Sequence, residues 1–169
     1  MADDETLNLA ASADSAREAA EALFAVVASE LISVLPASAE VLHVGATAVP
    51  GCLTKGDLDI VVRVDRVDFA ASEALLANRF SRNVGSIKTD EFAAFEDAGR
   101  SPHLGVQLTM KGGAFDDFHQ FVEELRRDPL LVHRYNELKL CFDGKSMTEY
   151  RAAKDAFVAE VLSNSRRAQ

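Results

Sequence analysis

The sequence predicts an α+β fold: a small mixed or antiparallel sheet packed with helices and followed by a helical C-terminal segment. Three observations predict it. Val41, Leu42 and Val44 form a short apolar run, and Leu58 to Val64 form a second that is aliphatic or β-branched apart from Asp59 and Arg63. Pro50, Gly51 and Gly56 break the intervening stretch, so two strands flank a tight loop of small residues. Residues 91–96 and 103–110 read as the arms of a hairpin around the turn 97–102. Apolar residues recur at helical spacing before the first strand and through the last third of the chain.

Taken in order, residues 1–11 read as flexible or loosely attached. Asp14 or Ser15 stands where it could cap a helix reaching about Leu35, with Ala16, Ala20, Leu23, Phe24, Val27 and Leu31 on one side and Pro36 as the stop. After the second strand, Asp65 is an N-cap for a helix over 66–79, and residues 84–89 read as a short strand. Helices begin again at about residue 115, where Phe115, Phe118, Phe121, Val122 and Leu125 form a stripe. Asp128-Pro129 is a cap followed by the residue favoured at the first helical position, and it opens a helix carrying Leu131, Tyr135, Leu138 and Phe142. Ser146 with Glu149 forms a capping box for a last helix that buries Met147, Tyr150, Phe157 and Val161. These stripes are core faces, and residues 12–165 read as one domain.

Composition bounds the function. The chain is 48% hydrophobic and 27% charged, ordinary for a globular protein. It has no apolar run near the roughly 20 residues that cross a bilayer, and its acidic start is no secretory signal, so a cytoplasmic protein without a membrane partner is expected. The net charge of -9, with 18 basic against 27 acidic residues, argues against a long nucleic acid, whose binding requires many cations to neutralise phosphates. Small molecules or nucleotides fit better. Cys52 and Cys141 lie far apart and match no zinc or disulfide spacing.

The stretch HVGATAVPGCLTKGDLDIVVRV, His43 to Val64, carries the chemistry. Side chains alternate along a strand, so Asp57 and Asp59 point the same way while Leu58, Ile60 and Val62 point the other. Neighbouring carboxylates repel unless a cation lies between them or one takes a proton. Magnesium, which accepts one or two carboxylates plus phosphate oxygens and water, suits such a pair, and manganese is the alternative. Gly45, Ala46 and Thr47 let backbone approach an anion closely, and Lys55 adds a mobile positive charge.

This segment resembles the nucleotidyltransferase signature of the DNA polymerase beta superfamily, and HVGATAVPG is similar to the HVGSTAVPG segment of the GrpB (UPF0157) family. The resemblance continues through Lys55, the strand that begins His103-Leu104, and the patterns YxxLK and YxxAKxxF, here Tyr135, Leu138, Lys139, Tyr150, Ala153, Lys154 and Phe157. It implies a nucleotidyltransferase fold. It also implies a triphosphate held by His43, Gly45, Ala46, Thr47, Lys55, Lys139, Tyr150 and Lys154, with metal and catalysis on Asp57 and Asp59. Three departures stand out. Ala46 replaces a Ser, Asp57 adds an acid that many relatives lack, and Gly105 stands where a second His of a His-x-His pattern would be.

Two questions stay open at this level. Lys139 and Lys154 lie on or beside apolar stripes, so either their stems cover apolar surface with the ammonium in water, or both ammonium groups meet the triphosphate. The later strand, which supplies a third carboxylate in active nucleotidyltransferases, offers only His103, Gly105, Gln107 and Thr109 on one face. Either His103 is the base, with Gln107 beside it, or Glu96 or Asp97 reaches in, or there is no efficient base. His119 and His133 are read as structural. The sequence therefore points to a magnesium-dependent nucleotidyltransferase moving a nucleoside monophosphate from an NTP to an unknown hydroxyl or amine of a small molecule or protein. The alternative is a nucleotide- or ligand-binding module of the same fold with little turnover. A purely structural protein would leave the acid pair unexplained, and the oligomeric state stays open.

Overall fold

The computed structural model describes residues 5–169. Five strands form one mixed sheet: β1 (Glu40–Val44), β2 (Leu58–Val64), β3 (Ser81–Arg82), β4 (Phe92–Asp97) and β5 (Leu104–Met110), in the order β1-β2-β5-β4-β3. β2 and β5 are the central pair and run parallel, while the other neighbours are antiparallel. The parallel pairing requires a crossover, and the segment from α2 (Phe69–Arg79) through β3 and β4 supplies it. The α+β class with a mixed sheet is as the sequence predicts.

Helices cover both faces. Leu58, Ile60, Val62 and Val64 of β2, with Leu104, Val106 and Leu108 of β5, pack against α1 (Ala13–Ile32) and α2 in one core. A central strand buried on both sides reads as a nearly continuous apolar run, which is why LDIVVRV stands out. The opposite face carries Val44 and Val61 and packs on α3 (Phe118–Arg127), α4 (Pro129–Phe142) and α5 (Met147–Arg167) through Phe121, Leu125, Tyr135 and Phe157. Tyr135 and Phe157 stack at a 5.3 Å centroid distance, and Phe121 meets both edge-on.

Caps set several boundaries. Asp128 accepts from the Leu130 amide with Pro129 at the start of α4, and Ser146 accepts from the Glu149 amide, as the sequence predicts. Four expectations need correction. Ser12, not Asp14 or Ser15, caps α1 by accepting from the Ser15 amide, because the helix begins at Ala13, ahead of where the apolar spacing suggests. Asp65 makes no side-chain cap bond; a 3-10 turn, Arg66–Asp68, intervenes before α2. Residues 84–89 form no strand. The edge pairing is instead Ser81–Arg82 against Phe95 and Glu96, and Val84 lies 93% exposed. Lastly, residues 5–11 are tied down, while residues 1–4 lie outside the described ones. Leu7 is 2% exposed and packs with Met147 and Tyr150. Its amide donates to the Lys145 carbonyl, and its own carbonyl accepts from the Gly144 amide.

One polar cluster pins the sheet to the turn before α3. Arg63 grips Asp116 through two nitrogens, at 2.6 and 2.7 Å, and reaches Glu40 with the third. Asp116 also accepts from the Gly112 amide at 2.8 Å. Burial pushes the Asp116 carboxyl up, but the Arg63 bonds and charge and the Gly112 amide outweigh it and leave the group below its ordinary value. A lowered carboxylate contributes stability that is complete above its unfolded value and fades as pH falls through the folded one. Removing one partner of a buried pair strands the other, so Asp116→Asn is expected to lower unfolding stability by roughly 2–4 kcal/mol in urea at neutral pH. The wild-type advantage over this variant is expected to shrink on acidification; an advantage that grows below the ordinary Asp range would contradict the ion-pair account.

Candidate functional site

The site is built around the start of β2. Asp59 pairs in register with Val44 on one side and Gly105 on the other, so all three share the sheet face that looks toward α3 to α5. Its carboxylate lies between two glycines. A Cβ on Gly45 would fall 2.7 Å from Asp59 Oδ2, and one on Gly105 would fall 2.8 Å from Oδ1. Gly45 also has φ 75° and ψ -173°, a conformation essentially reserved for glycine. The glycine in place of a second histidine on β5 is therefore what makes room for this carboxylate.

Asp57 lines the same cavity as Asp59, as strand alternation requires. Burial, and then the negative charge of Asp57, push the Asp59 carboxyl above its ordinary value, against the pull of Lys154, Lys55 and His103. Lys55 pairs with Asp57 Oδ2 at 3.0 Å. Among the described residues no group of three or more His, Cys, Asp or Glu side chains could form a protein-only metal cage. What remains is two carboxylates lining one cavity, one of them buried and the other paired with Lys55, a donor set that could serve a magnesium ion only with further ligands from phosphate and water.

The loop between β1 and β2 makes a few backbone turns of its own and is tied to its surroundings by side chains. Thr47, buried at the 3-10 turn Ala46–Ala48, donates its hydroxyl to the Asp57 carbonyl at 3.0 Å. His43 meets the same hydroxyl at 2.9 Å, so His43 Nε2 must be the donor. His43 lies on the opposite sheet face, stacked on Phe24, and burial drops its pKa to about 4. The structure thus gives His43 and Thr47 positions that brace the loop. From α3, Arg126 donates twice to the Ala48 carbonyl. From α4, Asn136 bonds the Leu53 amide and the Gly51 carbonyl.

Lys139 does not follow the reading that puts its ammonium in water. Its side chain is 2% exposed, so its ammonium does not reach water. It donates to the Leu53 carbonyl and to Cys52 Sγ, and its Nζ sits 3.8 Å from the centroid of the Tyr135 ring. Burial lowers its pKa to about 8. Lys154 differs: it makes no hydrogen bond or ion pair among the described residues, and it lines the cavity beside Asp59.

Two chambers meet at Asp59, sharing Gly45, Ala46, Asp59, Tyr135 and Lys154. One, of about 90 Å³, is basic, with Lys55, Lys139 and Tyr150 in its wall and Leu7 and Leu9 at its side. The other, of about 300 Å³, is walled by Phe118, Phe121 and Val158 and carries Gln107, Asp117 and Asp155. Of the alternatives for a third arm, only Gln107 reaches a chamber wall. His103 is 39% exposed and lies outside both, 3.9 Å from Asp57 and 3.5 Å from Glu96. Asp117 and Asp155 escaped the sequence reading. Asp117 looks like the cap of α3, yet its side chain makes no cap bond, and burial pushes its carboxyl up. Asp155 was hidden by its neighbour Lys154, whose motif drew the attention.

A five-stranded mixed sheet covered by helices on both faces, with one carboxylate cradled between two glycines, defines the class of α+β fold to which this chain belongs. The family profile of GrpB protein matches residues 14–164, and the chain belongs to the GrpB family. A UPF0157 protein of Vibrio cholerae is 33% identical over 154 residues, 90% of this chain and 81% of that protein. The crystal structure of the conserved protein GrpB from Enterococcus faecalis matches with a TM-score of 0.67 at 21% identity, over 89% of this chain and 94% of that one. A cytoplasmic RNA terminal U-transferase matches with a TM-score of 0.47 at 15% identity, over 70% of this chain and 37% of that one. No described helix is long and apolar enough to cross a membrane.

Two outcomes are expected. Gly105→Ala has ordinary backbone geometry but collides with the Asp59 carboxylate, so it is expected to cost roughly 1–3 kcal/mol of stability in urea. A stability equal to wild type would mean that the carboxylate can turn away freely. Lys139 carries a folded pKa below its unfolded one, so the folded state gives up its proton first and stability from this group rises between about pH 8 and 10. Lys139→Met is expected to lack that rise, measured as the difference between the two proteins' thermal midpoints across the window.

Proposed function

We propose that this chain is a cytoplasmic, magnesium-dependent nucleotidyltransferase that transfers a nucleoside monophosphate from an NTP to a hydroxyl or amine acceptor. The observation that carries this reading is the meeting of a basic and a larger, partly apolar chamber at Asp59, with Asp57 in the wall of the basic one. The basic chamber suits the triphosphate, with Lys55 and Lys154 as the mobile cations and Tyr150 in its wall. Lys139 acts from behind by fixing the loop that Lys55 stands on. Asp57 and Asp59 would hold the magnesium ion, whose charge would neutralise phosphate oxygens.

The acceptor enters through the larger chamber. Its oxygen or nitrogen attacks the α-phosphorus, the bond to the bridging oxygen breaks, pyrophosphate leaves with the electron pair, and the acceptor's proton passes to Asp117. Positioning and charge neutralisation carry most of such a reaction, so no strong nucleophile is required of the protein. The second reading, a binding module with little turnover, is favoured by β5 itself, where the positions beside Asp59 are Gly105 and Gln107 and neither is acidic.

Isothermal titration with ATP, GTP, CTP and UTP is expected to show binding of at least one nucleotide that requires magnesium. Asp59→Asn is expected to weaken it at least tenfold, about 1.4 kcal/mol. Metal-independent binding that survives this substitution would refute the site. Pyrophosphate release with a metabolite library then separates transfer from binding alone.

A further inference from the structure

The larger chamber has a chemical bias that the transfer reaction does not require. Apart from Lys154, the charged side chains in its wall are carboxylates: Asp59, Asp117 and Asp155. Neither Asp117 nor Asp155 makes an ion pair among the described residues; Arg166 acts on Asp117 only through space. Gln107 adds a buried Oε1 that has no hydrogen-bond partner. Buried acceptors without donors are uncommon, and each marks a position where a donor is missing. The remaining wall is apolar and aromatic, with Phe118, Phe121, Tyr135 and Val158 among its residues.

Resting on the transferase reading, we infer that this chamber selects a cationic acceptor: an organic ammonium ion on a compact apolar or aromatic body. With Asp59 assigned to the metal, Asp117 and Asp155 against Lys154 still leave the rest of the wall with an excess of negative charge, which repels a second phosphate and attracts a cation. An ammonium group brings several N–H donors to acceptors that lack them, whereas a carboxylate or phosphate ligand would bring none. The aromatic walls suit the same ligand, since ring faces attract cations. The basic chamber beside it has the opposite bias, so the two substrates are sorted by charge at Asp59: anion on the Lys55 side, cation on the Asp117 side. In the transfer, a hydroxyl oxygen on the acceptor's body, not its ammonium nitrogen, forms the bond to the α-phosphorus; the bridging P–O bond breaks, pyrophosphate leaves with the electron pair, and the hydroxyl proton goes to Asp117.

The test is an NMR titration of the full chain at low salt with tyramine, with hydroxyphenylpropionate as its carboxylate counterpart, and with adenosine, each with and without MgATP. The inference predicts that tyramine binds at least tenfold tighter than the carboxylate. It should shift the amides around Phe118 and Gly45, remain bound alongside MgATP, and weaken roughly fivefold in Asp155→Asn, whose folding is checked by its thermal midpoint. Equal binding of the two charge forms, no tyramine binding, or competitive displacement of tyramine by adenosine would overturn it while MgATP binding leaves the transferase reading intact. Failure of MgATP to bind, with tyramine still bound, would instead remove the transferase reading and the acceptor role with it.

Discussion

The carboxylate of Asp59 has a place only because the two residues facing it, Gly45 and Gly105, have no side chains. Much of the local structure follows from that constraint. Gly45 must end β1 in a backbone conformation closed to other residues, which turns the chain directly into the Ala46–Ala48 turn. Gly105 must lie in register with Asp59, which fixes the parallel pairing of β2 and β5 to one alignment; a slip of one residue would turn the acid into the α1 core. A side chain at either position would push the acid aside or force the strands apart. The site and the central strand pairing are therefore the same structural fact.

The loop between β1 and β2 has few backbone bonds of its own, so the helices beneath it add side-chain ones. Arg126 takes the Ala48 carbonyl, Asn136 takes the Gly51 carbonyl and the Leu53 amide, and Lys139 takes the Leu53 carbonyl. Thr47 closes the far end on Asp57 itself, with His43 donating behind it. Unmet, each of these carbonyls would cost about 1–3 kcal/mol where buried. The C-terminal helices are thus more than a cover for the sheet. They hold the loop still, and through Lys154 they place a cation beside the acid that it faces.

Much of this was legible in the sequence, and the exceptions have physical causes. The β2 run announced a strand, and the spacing of Asp57 and Asp59 suggested that both face one way; the two line one cavity. The capping box at Ser146 and Asp128-Pro129 located α4 and α5. What failed was what depends on contacts far apart in the chain. Leu7 lies in a short polar stretch that resembles any loose terminus, and only its pairing with Gly144 and Lys145 orders it. The exposed reading of Lys139 failed because nothing local reveals that the Leu53 carbonyl waits above its ammonium. Asp117 carries the local signature of a helix cap, and only the path of α3 turns it toward Gln107 and Asp59. Gly105 looked like a loss, a missing histidine, until the strand register put it against a carboxylate.

The measurement closest to the centre of this account is a crystal of the chain grown with manganese and a nonhydrolysable NTP. The account predicts an anomalous peak touching both Asp57 and Asp59, with phosphates on the Lys55 and Lys154 side and the larger chamber left open. Phosphates lying in the chamber of Asp117 and Asp155, or a metal bound away from the acid pair, would contradict it.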